Sequence, residues 1–92
     1  MADDVGRHVH VTGSVQGVFF RAWAQGHARE LGVSGWIRNC RDGSVEAQLE
    51  GEADSVDRMT ERMRNGPSNA RVDELTVEEA EPQGTGRFEV RH

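Results

Sequence analysis

The sequence contains no lysine, and all eleven of its basic residues are arginines. Without a lysine amine the chain can form no Schiff base and offers no Walker-A lysine to a nucleotide phosphate. Tyrosine is absent too, and the formal net charge is −5. A nucleic-acid binder would need a basic face, and a single-stranded RNA reader an aromatic sheet surface, so neither class fits. Cys40 is the only cysteine, so the expectation is no intramolecular disulfide and no thiolate zinc site assembled within one chain. No apolar run approaches the ~18 residues of a membrane span. The N-terminus, Met1-Ala2-Asp3-Asp4, is acidic and lacks the apolar stretch of a secretory signal. The expectation is a cytoplasmic monomer with no membrane or nucleic-acid partner.

What remains is a small, charged chain rich in arginine. Its 92 residues, 35% hydrophobic and 29% charged, suit one domain over residues 1–92, with 1–6 as a flexible lead. A chain this short buries only ~60–70% of the surface its unfolded form exposes, so it has one modest core. Arginine stays charged at any working pH and grips phosphate or carboxylate through a planar fork. A small anion is therefore a plausible ligand despite the negative total.

Periodicity divides the chain cleanly. Arg7 to Thr12 alternates polar and apolar as a half-buried strand does, ending at Gly13. Ala24, Ala28 and Leu31 recur at helical spacing over 21–31, and Gly32 is placed to cap that helix. A strand is expected over 34–41, then a two-residue hairpin at Asp42-Gly43. In the next strand Val45, Ala47 and Leu49 face one way and Glu46, Gln48 and Glu50 the other. Val56, Met59 and Met63 stripe a second helix over about 54–64, which Asn65-Gly66-Pro67 stops. A fourth strand covers 71–79, where Val72 is out of phase with Leu75 and Val77: a bulge, or the lead-in. Gly84-Thr85-Gly86 reads as a hairpin turn into a last strand with Phe88 and Val90. The order β-α-β-β-α-β plus a short C-terminal strand is that of an α+β, ferredoxin-like split β-α-β sandwich: an antiparallel sheet with two helices on one face. In that arrangement the first two strands run parallel, so their C-terminal ends share one edge of the sheet.

Two stretches near that edge carry possible chemistry. Gly13-Ser14-Val15-Gln16-Gly17-Val18-Phe19-Phe20-Arg21 joins the first strand to the first helix. Its glycines allow positive φ and close approach to a ligand, and the helix N-terminus adds partial positive charge. Arg21 can close such a cradle over a phosphate. A tight strand-to-helix turn with a surface arginine fits the same residues. In Gly35-Trp36-Ile37-Arg38-Asn39, Ile37 and Asn39 share a strand face, so Asn39 lies on the helix side if Ile37 is core. An amide both donates and accepts, so it can hold a water in line or bridge backbone groups beside the hairpin.

At these residues the chain resembles the acylphosphatase family. Its signature Gly-x-Val-Gln-Gly-Val-x-Phe-Arg is matched at every specified position of residues 13–21. Its second, Gly-Trp-Val-x-Asn-x3-Gly-x-Val-x5-Gly, runs here from Gly35 to Gly51, with Ile37 where valine is usual. The resemblance implies a compact ferredoxin-like enzyme that hydrolyses acyl phosphates to carboxylate and phosphate without metal or cofactor. It assigns phosphate binding to Arg21 and to the backbone of Val15, Gln16, Gly17, Val18, Phe19 and Phe20, and water orientation to Asn39. His92 departs from the aromatic residue that often ends the family's chains. Similar modules also occur within larger carbamoyl-phosphate-processing proteins, so a non-catalytic anion-binding domain is the competing expectation; Arg21 and Asn39 together favour the enzyme.

Among the other residues, His8 and His10 share a strand face but show no third metal ligand. Met59 and Met63 read as core, and Glu78, Glu79 and Glu81 as a solvated strand end. Cys40 faces away from Asn39 and reads as packing. Arg38 and Arg41 can attract an anion or pair with surface carboxylates.

Overall fold

The computed structural model describes residues 4–92. Seven elements follow in the expected order: β1 (Val5–Ser14), α1 (Phe20–Leu31), β2 (Ser34–Asn39), β3 (Val45–Gly51), α2 (Ala53–Asn65), β4 (Arg71–Ala80) and β5 (Phe88–Arg91). Residues 1–3 of the expected flexible lead lie outside the described residues. Val5 and Gly6 are already strand, opposite Gly51 and Glu50.

The strands form one sheet in the order β4-β1-β3-β2-β5. Both β1 and β2 run antiparallel to β3, which lies between them. They are therefore parallel to each other, and Val11 and Asn39 both pair with Val45 at the start of β3. The four strands of the βαββαβ core are antiparallel neighbours, as expected, and the short β5 joins them in parallel with β2. β4 and β5 occupy opposite edges, so residues 81–87 are not a hairpin turn but a crossover spanning the sheet.

Both helices cover one face. Phe20, Ala24 and Ala28 are the buried positions of α1, and Val56, Met59, Thr60 and Met63 those of α2. The α1 stripe falls at i, i+4, i+8 and the α2 stripe at i, i+3, i+4, i+7, both the spacing of one helix face. They close over Val9, Val11, Ile37, Val45, Ala47 and Leu49, all completely buried. Each fully buried aliphatic or Met side chain contributes ~1.5–3 kcal/mol. Val72 is the sign of a bulge: Thr12 pairs with Glu74 but Gly13 with Val72, leaving Asp73 unmatched. Val77 stays 40% exposed, where the alternation suggested core.

The sheet's other face differs most from the sequence reading. Alternation puts Gln48 and Glu50 on the face opposite Val45, Ala47 and Leu49, yet they are 1% and 3% exposed. The crossover lies over them. The Glu50 carboxylate accepts the backbone N–H groups of Gln83 (2.5 Å) and Gly84 (3.0 Å), and the Gln48 side-chain amide at 2.9 Å. That same amide donates to Glu81 O, and Trp36 Nε1 to Gln83 Oε1. A buried carboxylate is tolerable only when its oxygens are supplied with donors. Glu50 therefore acts as a pin that holds the crossover on the sheet and brings β5 to the edge beside β2.

Gly35 shows how tightly that edge is built. Its φ is +130°, and a Cβ there would lie 1.8 Å from Gln48 O. β2 can approach β3 this closely only without a side chain.

Candidate active site

The shared end of β1 and β2 carries the loop of residues 15–19 and the first turn of α1. Val15 is 1% exposed, and Val18 packs against the core. These two side chains press the loop onto the domain. Between and after them the backbone is left-handed at Gly17 (φ 72°) and at Phe19 (φ 59°). Such conformations gather successive N–H groups into a concave, anion-favouring surface. Phe19 is the N-cap residue of α1 and makes no side-chain cap, so the helix's first amides remain available.

Arg21 stands in the first turn of α1, half-buried. Its Nη1 donates to Arg91 O at 2.8 Å and meets His92 Nδ1 at 3.2 Å. A guanidinium can only donate, so Nδ1 of His92 must present its lone pair. The end of β5 thus fixes the arginine. Among the described residues Nε and Nη2 have no partner, leaving one edge of the fork for an oxyanion.

Asn39 ends β2 on the helix side, and its side chain is exposed. Arg21 and Asn39 line one cleft of about 450 Å³ with Val15, Gly17, Phe19 and Phe20. Ala22, Val90 and His92 complete the wall, and no Asp or Glu side chain lines it among the described residues. Of the six loop residues expected at the site, Gln16 and Val18 do not line the cleft. Val18 faces the core, and Gln16 reaches to the hairpin instead, where its Nε2 donates to Cys40 O (2.8 Å) and Ser44 O (2.7 Å).

That contact answers the alternative reading of Asn39. The backbone bridging beside the hairpin is done by Gln16, and by Asp42, whose Oδ1 accepts the Ser44 N–H at 2.9 Å. Asn39 makes no side-chain hydrogen bond among the described residues. The hairpin is also wider than expected. β2 stops at Asn39, Cys40 N–H bonds Ser44 O, and Gly43 (φ 92°) lies inside the loop. Asp42 captures the turn by bonding Ser44, whose hydroxyl donates to Oδ1 at 2.5 Å. These two donors hold the Asp42 carboxyl below its ordinary value.

Like Ala22 and Val90, His92 is a cleft residue that no local signal marks. Its place depends on β5 pairing with β2, which no local signal encodes. Arg38 pairs with Glu46, which also accepts His8 Nε2 at 2.9 Å. The sequence shows no third ligand beside His8 and His10; the structure separates the two and instead brings a His10 ring nitrogen, Cys40 Sγ and an Asp42 oxygen within 4.8 Å of one another.

The acylphosphatase family model matches residues 7–90. An acylphosphatase of Alcanivorax borkumensis is 52% identical over 80 residues, covering 87% of each chain. One from Roseiflexus sp. is 49% identical over 87 residues, 95% of this chain and 94% of that one. The solved acylphosphatase of Coxiella burnetii superposes with a TM-score of 0.92 at 39% identity, covering 97% and 94% of the two chains. The chain belongs to the acylphosphatase family and is a hydrolase of acyl phosphates.

Proposed function

We propose that hydrolysis takes place in the cleft between the 15–20 loop and the end of β2, without metal or cofactor, with Arg21 holding the phosphoryl group and Asn39 placing the water. The observation that carries this reading is the convergence of the two side chains on one cleft with no Asp or Glu side chain in its wall among the described residues. The free edge of the Arg21 fork takes two phosphoryl oxygens, and the amides of the loop and the first turn of α1 take the third. Asn39, free of other partners, orients a water opposite the departing carboxylate.

The reaction asks little more of the protein. An acyl phosphate carries a good leaving group, so its transfer needs positioning and charge stabilisation more than a strong base. Water oxygen bonds to phosphorus as the bond from phosphorus to the acyl oxygen breaks. Carboxylate leaves with that electron pair, and a phosphoryl oxygen of the substrate takes the water's proton. Phe19, Val90 and Ala22 give the acyl group an apolar wall. The same reading has the protein act as a monomer on a small molecule, in a cytoplasmic setting.

The test is hydrolysis of benzoyl phosphate with chelator present, by wild type, Arg21→Ala and Asn39→Ala. Loss of one such anion-stabilising donor costs at least ~3 kcal/mol, so Arg21→Ala should slow turnover about a hundredfold or more. Asn39→Ala should lower kcat strongly while inhibition by inorganic phosphate changes little. Full activity in both variants, or loss of wild-type turnover on chelation, would refute the assignment.

A further inference from the structure

Cys40 lies one residue beyond Asn39, but on the face of the sheet opposite the cleft. There the hairpin meets β1. His10 points to that face because its neighbours Val9 and Val11 are in the core. Its Nε2 lies 2.8 Å from Ser44 Oγ, and Ser44 Oγ lies 2.5 Å from Asp42 Oδ1. Because the Ser44 hydroxyl spends its proton on the carboxylate, it accepts from His10. An imidazole, a thiol and a carboxylate thus surround one small volume, their ligand atoms within 4.8 Å of one another.

We propose that His10, Cys40 and Asp42 form a binding site for a borderline-soft divalent cation of the zinc class, separate from the hydrolytic cleft. The donor set is the first reason. Imidazole nitrogen with thiolate sulfur selects zinc-like ions over magnesium or calcium, which prefer all-oxygen shells. Charge is the second. Thiolate and carboxylate together carry the two negative charges that a divalent ion neutralises. Reach is the third. Zinc bond lengths put tetrahedral ligand atoms roughly 3.3–3.7 Å apart, so the donors must draw in by about 1 Å. Cys40 and Asp42 ride a wide hairpin loop, and Asp42 is exposed, so they can close on the ring while β1 holds it.

The support around these ligands is also present. Ser44 N–H fixes the Asp42 carboxylate, and Gln16 clasps the carbonyls of Cys40 and Ser44. Such outer contacts orient ligands and commonly raise metal affinity. On binding, Cys40 releases its thiol proton to solvent, while the ligating imidazole of His10 stays neutral with its single ring proton on Nδ1, so that Nε2 exchanges its hydrogen bond to Ser44 for the bond to the metal. Water or the Ser44 hydroxyl completes the fourth position. A cation here ties the hairpin to β1 and loads the carbonyls that hold Gln16, so filling the site should lower kcat.

The probe is Cd²⁺, whose bond to a thiolate gives an ultraviolet charge-transfer band, titrated into the whole reduced protein with Zn²⁺ as competitor. The expected result is a band saturating at one equivalent and displaced by Zn²⁺. It should be absent in Cys40→Ser, and about tenfold or more weaker in affinity in both His10→Gln and Asp42→Asn. Zinc should slow benzoyl phosphate hydrolysis by wild type but not by Cys40→Ser, whose metal-free activity should equal wild type's. No band, or unchanged affinity in His10→Gln and Asp42→Asn, would overturn the site; equal zinc sensitivity in Cys40→Ser would overturn its link to hydrolysis. Far-ultraviolet circular dichroism of each variant separates loss of ligand from loss of fold.

Discussion

Phe19→Gly relieves a strained backbone at little loss of burial, because Phe19 is 82% exposed and held at φ 59°, ψ 26°. A left-handed backbone costs an L-residue ~1–2 kcal/mol. Glycine escapes that cost but gives back ~0.5–1 kcal/mol through the greater freedom of its unfolded chain. So exposed a ring contributes little burial, and glycine serves acceptably as an N-cap. The variant should therefore be more stable by ~0.5–1 kcal/mol, which in a domain of this size raises Tm by ~2–8 °C. Function should move the other way. If the ring is the apolar wall for the acyl group, its loss removes an aromatic contact worth ~0.5–1.5 kcal/mol. The kcat/KM ratio for benzoyl phosphate over acetyl phosphate should then fall roughly two- to tenfold. Denaturant melts and the two substrates' kinetics, measured on one preparation, give both numbers. A variant destabilised by more than ~1 kcal/mol would show that the ring is structural. An unchanged substrate ratio would show that the acyl group does not touch it.

Other perturbations probe the surroundings. Gln16→Leu removes both hydrogen bonds to the hairpin, but Ser44 O and Cys40 O keep the N–H groups of Cys40 and Gly43. Stability should fall by only ~1 kcal/mol in a urea melt, while kcat falls about tenfold because loop and Asn39 lose their mutual alignment; unchanged kcat would mean the two are positioned independently. Gly35→Ala should cost more than ~3 kcal/mol in the same measurement, since its Cβ overlaps Gln48 O and its φ is unfavourable. For Glu46, burial opposes the charge more than any other single influence. Arg38 and His8 together outweigh it, so its carboxyl is held below the ordinary 4.5. A depressed carboxyl stabilises fully above that ordinary value and loses its contribution as pH falls through the lower folded one. The stability gap between wild type and Glu46→Gln should thus be steady above pH 4.5 and close in more acid solution; a gap that widens there would reverse the sign of the argument.

The sequence by itself determined what local periodicity and turn chemistry encode. Ala24 and Ala28, and Val56, Met59 and Met63, announce helices because one face of each must be dry. The alternation of Val45, Ala47 and Leu49 marks the core side of β3, and Gly17 and Gly35 mark where the backbone needs room. Arg21 and Asn39 were legible because β1 and β2 end together once their parallel course is accepted. Only the tertiary structure decided what lies over each face. Alternation sets Gln48 and Glu50 opposite the core, but it cannot announce a segment from thirty-odd residues away that arrives to cover them. The same distance hides the parallel pairing of β5 with β2, and therefore the hold of Arg91 and His92 on Arg21. Cys40 and Asp42 meet His10 for a related reason: the turn was wider than the Asp42-Gly43 signal implied, because Asp42 bonds Ser44. Strand faces and helix stripes are set by residues a few positions apart, whereas these contacts depend on which strands become neighbours, a choice made by burial of the whole core.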